Sequence, residues 1–166
     1  MNLRDVVVDG NKFELINGGG FGKIYRVNPE LVVKIVRTPS TIERQRTILE
    51  GEYTIQRALF EKSISVPVPI GVLDLQVDRW SVVPGFFMQY IKGVNLSELS
   101  KDEYKEINEM VKREIEKAKD LGFVIGFDAH SKRNSIYGVN GRIYLIDFMH
   151  WEMPDVTFPT QTSFSF

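Results

Sequence analysis

The chain has 166 residues and carries 21 lysines and arginines against 22 aspartates and glutamates, a formal net charge of -1, so nothing draws it generally to nucleic acid or an anionic membrane. Cysteine is absent, which excludes disulfides and thiolate metal sites, and two histidines cannot build a His-rich metal centre. The length allows one domain or two small lobes sharing a cleft, and neither a membrane-span window nor a signal-peptide pattern is expected.

Val6-Val7-Val8 and residues 13–16 read as short strands separated by Asp9-Gly10-Asn11 as turn material. Asn17-Gly18-Gly19-Gly20-Phe21-Gly22-Lys23-Ile24-Tyr25 then places four glycines in six positions between apolar runs. Glycine leaves its N–H exposed and tolerates positive φ, so such a turn can fold its backbone over phosphates. Residues 23–27 alternate polar and apolar, Asn28-Pro29-Glu30 is a turn, and residues 31–36 form a strand with one lysine, Lys34, among β-branched neighbours. The opening is therefore a meander. A dinucleotide-binding βαβ unit would need a helix directly after the glycines.

A first helix starts near Pro39-Ser40-Thr41, with Ser40 as cap and Glu43 completing a capping box. Ile48, Glu52, Ile55 and Leu59 share one helical face, which makes Glu52 a carboxylate on an apolar stripe, either an edge residue or the partner of a buried lysine. Ser65-Val66-Pro67-Val68-Pro69 is a rigid loop. Residues 70–77 and 82–90 read as two strands joined by Asp78-Arg79-Trp80, the second interrupted at Pro84-Gly85.

After Lys92-Gly93 the pattern becomes mostly helical, which suggests a lobe boundary. Ser97 or Ser100 caps a helix over residues 101–121, with Ile107, Met110, Val111, Glu114, Ile115, Ala118 and Leu121 on its buried side and Gly122 ending it. Its six basic and seven acidic side chains between Lys101 and Asp120 are interspersed, a solvated face. Residues 123–127 are a short apolar run, residues 128–134 a polar loop, and residues 135–146 a hairpin that leads into Asp147-Phe148. The last residues, rich in Pro, Thr, Ser and Phe, show no periodicity.

From about Phe13 to Met149 the chain resembles the protein-kinase-like superfamily. Asn17 to Tyr25 is similar to its glycine-rich loop: Gly19 and Gly22 match the second and third glycines, Asn17 with Gly18 beside it stands at the first, and Gly20 and Phe21 form the tip. Lys34 matches the strand lysine that neutralises phosphate oxygens, and Glu52 the helix glutamate, with Glu50 as fallback. Met88-Gln89-Tyr90-Ile91-Lys92-Gly93 resembles the hinge. By that resemblance the Gln89 carbonyl and Ile91 N–H hold the adenine edge, Met88 lies behind the base, and Ile16, Ile24, Val32 and Ile136 sandwich it. Asp128 matches the catalytic aspartate, and Asn134 and Asp147 the metal ligands, oxygen donors suited to Mg²⁺. The resemblance implies an α+β, bilobal fold: a five-stranded antiparallel sheet with one helix over residues 1–91, then a strongly reduced helical lobe over residues 92–166.

The departures shape the functional expectation. Gly126-Phe127 stands where the family usually carries His or Tyr and then Arg or Gly, and the absent arginine makes a phosphorylated activation segment not the expected switch. Asp128 and Asn134 are six apart rather than about five. One inserted residue explains this; the competing alignment places Arg133, which cannot bind a metal, at the ligand position. Asp147-Phe148-Met149 ends in Met rather than Gly. His130 and Lys132 are further catalytic candidates. Only 19 residues follow Asp147, which is similar to the very compact kinases of bacterial effectors and toxins. The implied function is ATP- and Mg²⁺-dependent Ser/Thr protein phosphorylation, the substrate a host protein if the chain acts as such an effector. The implied location is the cytoplasm, or a host cell reached without a signal peptide. A pseudokinase acting as a nucleotide-binding interaction module, and a small-molecule kinase of the sugar or aminoglycoside type suggested by His130, are the alternatives.

Overall fold

Alternating side chains fold the first third of the chain into a meander. A computed structural model describes residues 7–8, 11–18, 22–36, 40–77 and 81–154. Val7–Val8 (β1) pairs with Asn11–Lys12 (β2), so Asn11 joins a strand rather than the turn expected for it. Glu14–Gly18 (β3), Gly22–Asn28 (β4) and Leu31–Val36 (β5) follow. In β5, Val33 and Ile35 enter one apolar cluster with Tyr25, Leu75 and Val83, while Val32 and Val36 enter another with Leu49, Phe86 and Met88. A strand buried on both faces explains its unbroken β-branched run. It also fixes Lys34, flanked by Val32 and Val36 on the second face.

Ile42–Glu61 (α1) lies against that second face. Its cap is Thr41, whose hydroxyl accepts from the Arg44 N–H, and not Ser40. The helix ends through Ser63 in the left-handed region (φ 60), with the Ile64 N–H closing onto the Leu59 carbonyl. Pro69–Gln76 (β6) and Val82–Gln89 (β7) complete an antiparallel five-stranded sheet in the order β3-β4-β5-β7-β6. Asp78, Arg79 and Trp80 lie outside the described residues.

The break expected at Pro84-Gly85 does not occur. β5 reaches along β7 only as far as Phe86, so at Pro84 the strand has β6 as its one described neighbour, and a missing N–H is tolerated on the open side. Gly85 is a packing requirement: a Cβ there would lie 2.6 Å from both Leu75 Cδ1 and Val33 Cγ2.

Gly93–Asn95 (β8), a single 3-10 turn over Leu96–Glu98 and Lys101–Asp120 (α2) come next. Ser100, not Ser97, caps α2 and forms a full capping box with Glu103. Val111, Ile115 and Ala118 are buried as expected, whereas Leu121, just past the helix end, is exposed. Gly122 takes φ +90 there, a conformation that suits glycine. Residues 123–127 form no strand; Val124 makes one antiparallel bridge to Glu152. Ser135–Gly138 (β9) and Ile143–Leu145 (β10) form the hairpin, and β8 adds to it in the order β10-β9-β8.

The largest apolar cluster joins Ile55 and Leu59 of α1 and Ile64 and Val66 beyond it to Val111 and Ile115 of α2, Leu145, Phe148 and Trp151. Among the described residues no helix is long and apolar enough to cross a membrane.

Candidate active site

Lys34 is 7% and Glu52 2% exposed. The lysine Nζ lies 2.8 Å from each carboxylate oxygen of Glu52 and 3.1 Å from Asp147 Oδ1. Burial by itself would lower the ammonium's pKa, but the adjacent Glu52 and Asp147 carboxylates outweigh it and hold the value above the ordinary lysine figure of 10.5. The contact is a consequence of register. Lys34 projects from the α1 face of β5, and Glu52 occupies the stripe of α1 that packs there, one turn before Gln56 and two before Leu59. Glu50 is exposed. Gly22 pairs with Val36, and a Cβ on it would stand 3.2 Å from Lys34 Cε, so this glycine lets the lysine stem pass beneath β4.

Asp147 follows β10 and adopts φ 64, a left-handed conformation uncommon for a residue with a side chain. The next N–H, of Phe148, donates to Glu52 Oε1 at 3.4 Å, and the Phe148 ring is fully buried, edge-on to Trp151 at 5.2 Å. The Asp147 side chain itself remains 38% exposed, so one carboxylate both touches Lys34 and faces solvent.

Asn134 closes a 3-10 turn over Lys132–Asn134. It is 9% exposed, and its Nδ2 donates to the Asp128 carbonyl at 3.1 Å. The amide nitrogen is thereby used, and the side-chain oxygen is the atom left to act as a ligand. The Ile146 N–H donates to the Asn134 carbonyl at 3.0 Å, which ties this loop to the strand end that leads into Asp147. Arg133 is exposed and offers only its carbonyl inward, to Asn95 Nδ2 at 2.8 Å. The six-residue step from Asp128 to Asn134 thus brings the asparagine, not the arginine, into the loop.

Asp128 Oδ1 is buried and has no hydrogen-bond partner among the described residues, as is also true of Ser135 Oγ. Gly126 accounts for the shielding. A Cβ on it would lie 2.8 Å from Trp151 Cδ1 and 3.1 Å from Asp128 Oδ1, so a side chain in this position would collide with the carboxylate and the indole. Composition and spacing gave no sign of this contact. They also gave none of the Lys132 position, with Nζ 4.0 Å from the centroid of the Tyr104 ring on α2. His130 is exposed. Phe127, expected to end an apolar run, is 86% exposed and its ring lies against that of His150.

At the hinge-like segment the Gln89 N–H donates to Val68 O at 2.9 Å and the Tyr90 N–H to Glu30 O at 2.8 Å. Ile91 N–H takes no backbone partner among the described residues. Met88 is buried between Val32, its pair on β5, and the Gln56 amide at 3.8 Å from its sulfur. Val32 and Met88 share one apolar cluster, and Ile24 packs against it. Ile16 is exposed on β3, and Ile136 is half-buried on β9 opposite Asn95. Gly18 pairs with Lys23; Gly19, Gly20 and Phe21 lie outside the described residues. The sequence-predicted residues brought into contact are therefore Lys34, Glu52 and Asp147 in one group and Asp128 and Asn134 in another. The two are joined through the backbone of Asn134 and Ile146.

Among the described residues no group of three or more His, Cys, Asp or Glu is gathered as a metal cage. No protein-family model matches the chain, and no curated protein sequence matches it. Among solved structures, it is similar to a Stt7 homologue from Micromonas algae, whose crystals were soaked with ATP, with a TM-score of 0.63 and 12% identity. The match covers 84% of this chain and 49% of that one, so the chain spans about half the length of its structural neighbour. The likeness is one of fold alone: an α+β arrangement with a five-stranded antiparallel sheet and two helices.

Proposed function

We propose that the chain is a phosphotransferase that moves the γ-phosphoryl group of ATP to a serine or threonine hydroxyl of a protein, in a cleft between the five-stranded sheet of residues 1–91 and the hairpin and loops of residues 92–166. The observation that carries the reading is the contact of one buried ammonium, Lys34, with carboxylates from a helix and from the end of a hairpin, Glu52 and Asp147. A structural ion pair does not need a second, partly exposed carboxylate. A phosphate-binding lysine held beside a metal-binding aspartate does.

In this reading Glu52 fixes the Lys34 ammonium against the phosphate oxygens of the nucleotide. The Asn134 side-chain oxygen and the Asp147 carboxylate are the residues that would hold Mg²⁺. Two protein oxygens suffice, since this ion is ordinarily held by one or two carboxylates together with nucleotide phosphates. When bound, the ion offsets charge on the transferring phosphates. Asp128 orients the acceptor hydroxyl and receives its proton as the acceptor oxygen bonds to the γ-phosphorus. The bond from that phosphorus to the β,γ-bridging oxygen breaks, and ADP leaves with the electron pair.

Incubation with γ-labelled ATP, with and without Mg²⁺, and with cell lysate as acceptor pool, tests the reading. Label on protein that disappears without Mg²⁺ and in Asp128→Asn and Lys34→Ala supports it. ATP binding with no transfer to protein or metabolite assigns the chain to nucleotide-binding modules instead. Label on a metabolite and none on protein makes it a small-molecule kinase.

A further inference from the structure

Phe127 precedes Asp128 in the chain and is 86% exposed, while Phe123 at the start of the same apolar run is 5% exposed. Its ring is not loose. The centroid lies 4.6 Å from that of His150 with 35° between the planes. The base beneath is rigid. Trp151 is 4% exposed and meets the buried Phe148 edge-on. The two chain segments are clamped by reciprocal bonds of 3.2 and 3.0 Å between Val124 and Glu152. The ring also belongs to the Asp128 neighbourhood. A Cβ on Gly126 would lie 3.1 Å from His150 Cβ and 3.1 Å from Asp128 Oδ1, so the histidine carrying the Phe127 ring and the aspartate carboxylate converge on one glycine.

We propose that Phe127 and His150 form a platform that seats a large apolar side chain adjacent to the reacting hydroxyl of a peptide acceptor. The acceptor is then a protein segment whose serine or threonine has an aromatic or branched aliphatic neighbour. The inference rests on Asp128 receiving the acceptor hydroxyl. An aromatic ring this open belongs to a surface that an extended chain can cross, whereas sites for small ligands are concave. Val124 and Met153, on the same clamped segments, are also apolar and 52% and 42% exposed. A cationic neighbour is disfavoured because Lys132 and Arg133 follow Asp128 in the loop. A platform already held in place also lowers the ordering cost of binding.

The test uses four serine peptides that differ only in the residue beside the acceptor: Phe, Leu, Gly or Arg. Each is assayed for phosphorylation by the full chain with ATP and Mg²⁺, and separately for binding by fluorescence anisotropy. The Phe and Leu peptides are expected to exceed the Gly peptide by roughly three- to tenfold in kcat/KM and in affinity, the size of one aromatic contact. In Phe127→Ser that ratio is expected to fall to within about twofold of unity, to recover in Phe127→Trp, and to take an intermediate value in His150→Ala. Phe127 is exposed, so its two variants are expected to fold, and they carry the test without His150→Ala. Phosphorylation without discrimination between peptides, or preference for the Arg peptide, overturns the platform while leaving the transferase reading intact. Selective binding of the Phe peptide with no phosphorylation does the reverse.

Discussion

Lys34 and Glu52 meet symmetrically, the ammonium 2.8 Å from each carboxylate oxygen, at a site where both side chains are almost fully buried. Removing one partner leaves an uncompensated charge in a dry place. Lys34→Met is expected to destabilise the fold by about 3–5 kcal/mol. The double variant Lys34→Met/Glu52→Met removes both charges and should regain most of that loss while still failing to transfer phosphate. Urea unfolding of the three proteins, with ATP binding measured on the double variant, separates the structural from the chemical role of the lysine.

The same pair sets a pH response. The folded Lys34 pKa lies above 10.5 because, although burial opposes the charge, Glu52 and Asp147 more than compensate. A raised folded value means that its stabilisation is fully present below the unfolded pKa and is lost as pH rises through the folded one. The gap in unfolding free energy between wild type and Lys34→Met should therefore stay level from about pH 7 to about pH 10 and close only above that. A gap that narrows between neutral pH and mildly alkaline pH would contradict the assignment.

Gly126→Ala introduces a methyl 2.8 Å from Trp151 Cδ1 and 3.1 Å from Asp128 Oδ1. Overpacking of this kind costs about 1–3 kcal/mol. Displacement of the carboxylate by less than an ångström should lower the transfer rate by about a hundredfold, with nucleotide affinity little changed. Single-turnover rates and ATP titration on the same sample check both parts.

Lys132 stands over the Tyr104 ring at 4.0 Å, a contact between the polar loop and α2. A double-mutant cycle with Lys132→Met and Tyr104→Leu should give a coupling of about 0.5–1 kcal/mol. We expect phosphotransfer to fall in Lys132→Met and to hold in Tyr104→Leu, because only the first removes a charge available to the phosphates. Equal activity in both variants would make the lysine a loop anchor alone.

Residues whose neighbours are set by local period were the most readable. Alternation along β4 and the β-branched run of β5 assigned Lys34 to a strand, and the stripe on α1 offered Glu52 as either an edge residue or the partner of a buried lysine; the structure buries it against Lys34. The order Lys34, Glu52, Asp128, Asn134, Asp147 was read as one site; in the structure Lys34 touches Glu52 and Asp147, and the Asn134 amide donates to the Asp128 carbonyl. Features set by distant neighbours were not readable. Pro84-Gly85 looks like a strand break until it is known that the pairing of β5 with β7 stops at Phe86 and that Val33 and Leu75 fill the space over the glycine. Ser40 and Thr41 are both capping hydroxyls, and the Glu43 spacing favoured the wrong one because a capping box is only one way to satisfy a helix start. Phe127 was assigned to an apolar run on composition, which cannot distinguish a ring facing the core from one facing out on a turn.

α1 is held at several levels along its length. Leu49 is fully buried in the cluster beneath the sheet, Gln56 Nε2 donates to the Pro67 carbonyl at 2.8 Å, and Leu59 is fully buried in the cluster shared with α2. Swinging the helix outward from either end would strip a leucine from its cluster, at about 1.5–3 kcal/mol each, besides parting the buried ions. A molecule fastened this way has no inexpensive off position. Under the proposed function, control therefore acts on when nucleotide and acceptor arrive, because Lys34 and Glu52 are engaged with each other in their absence.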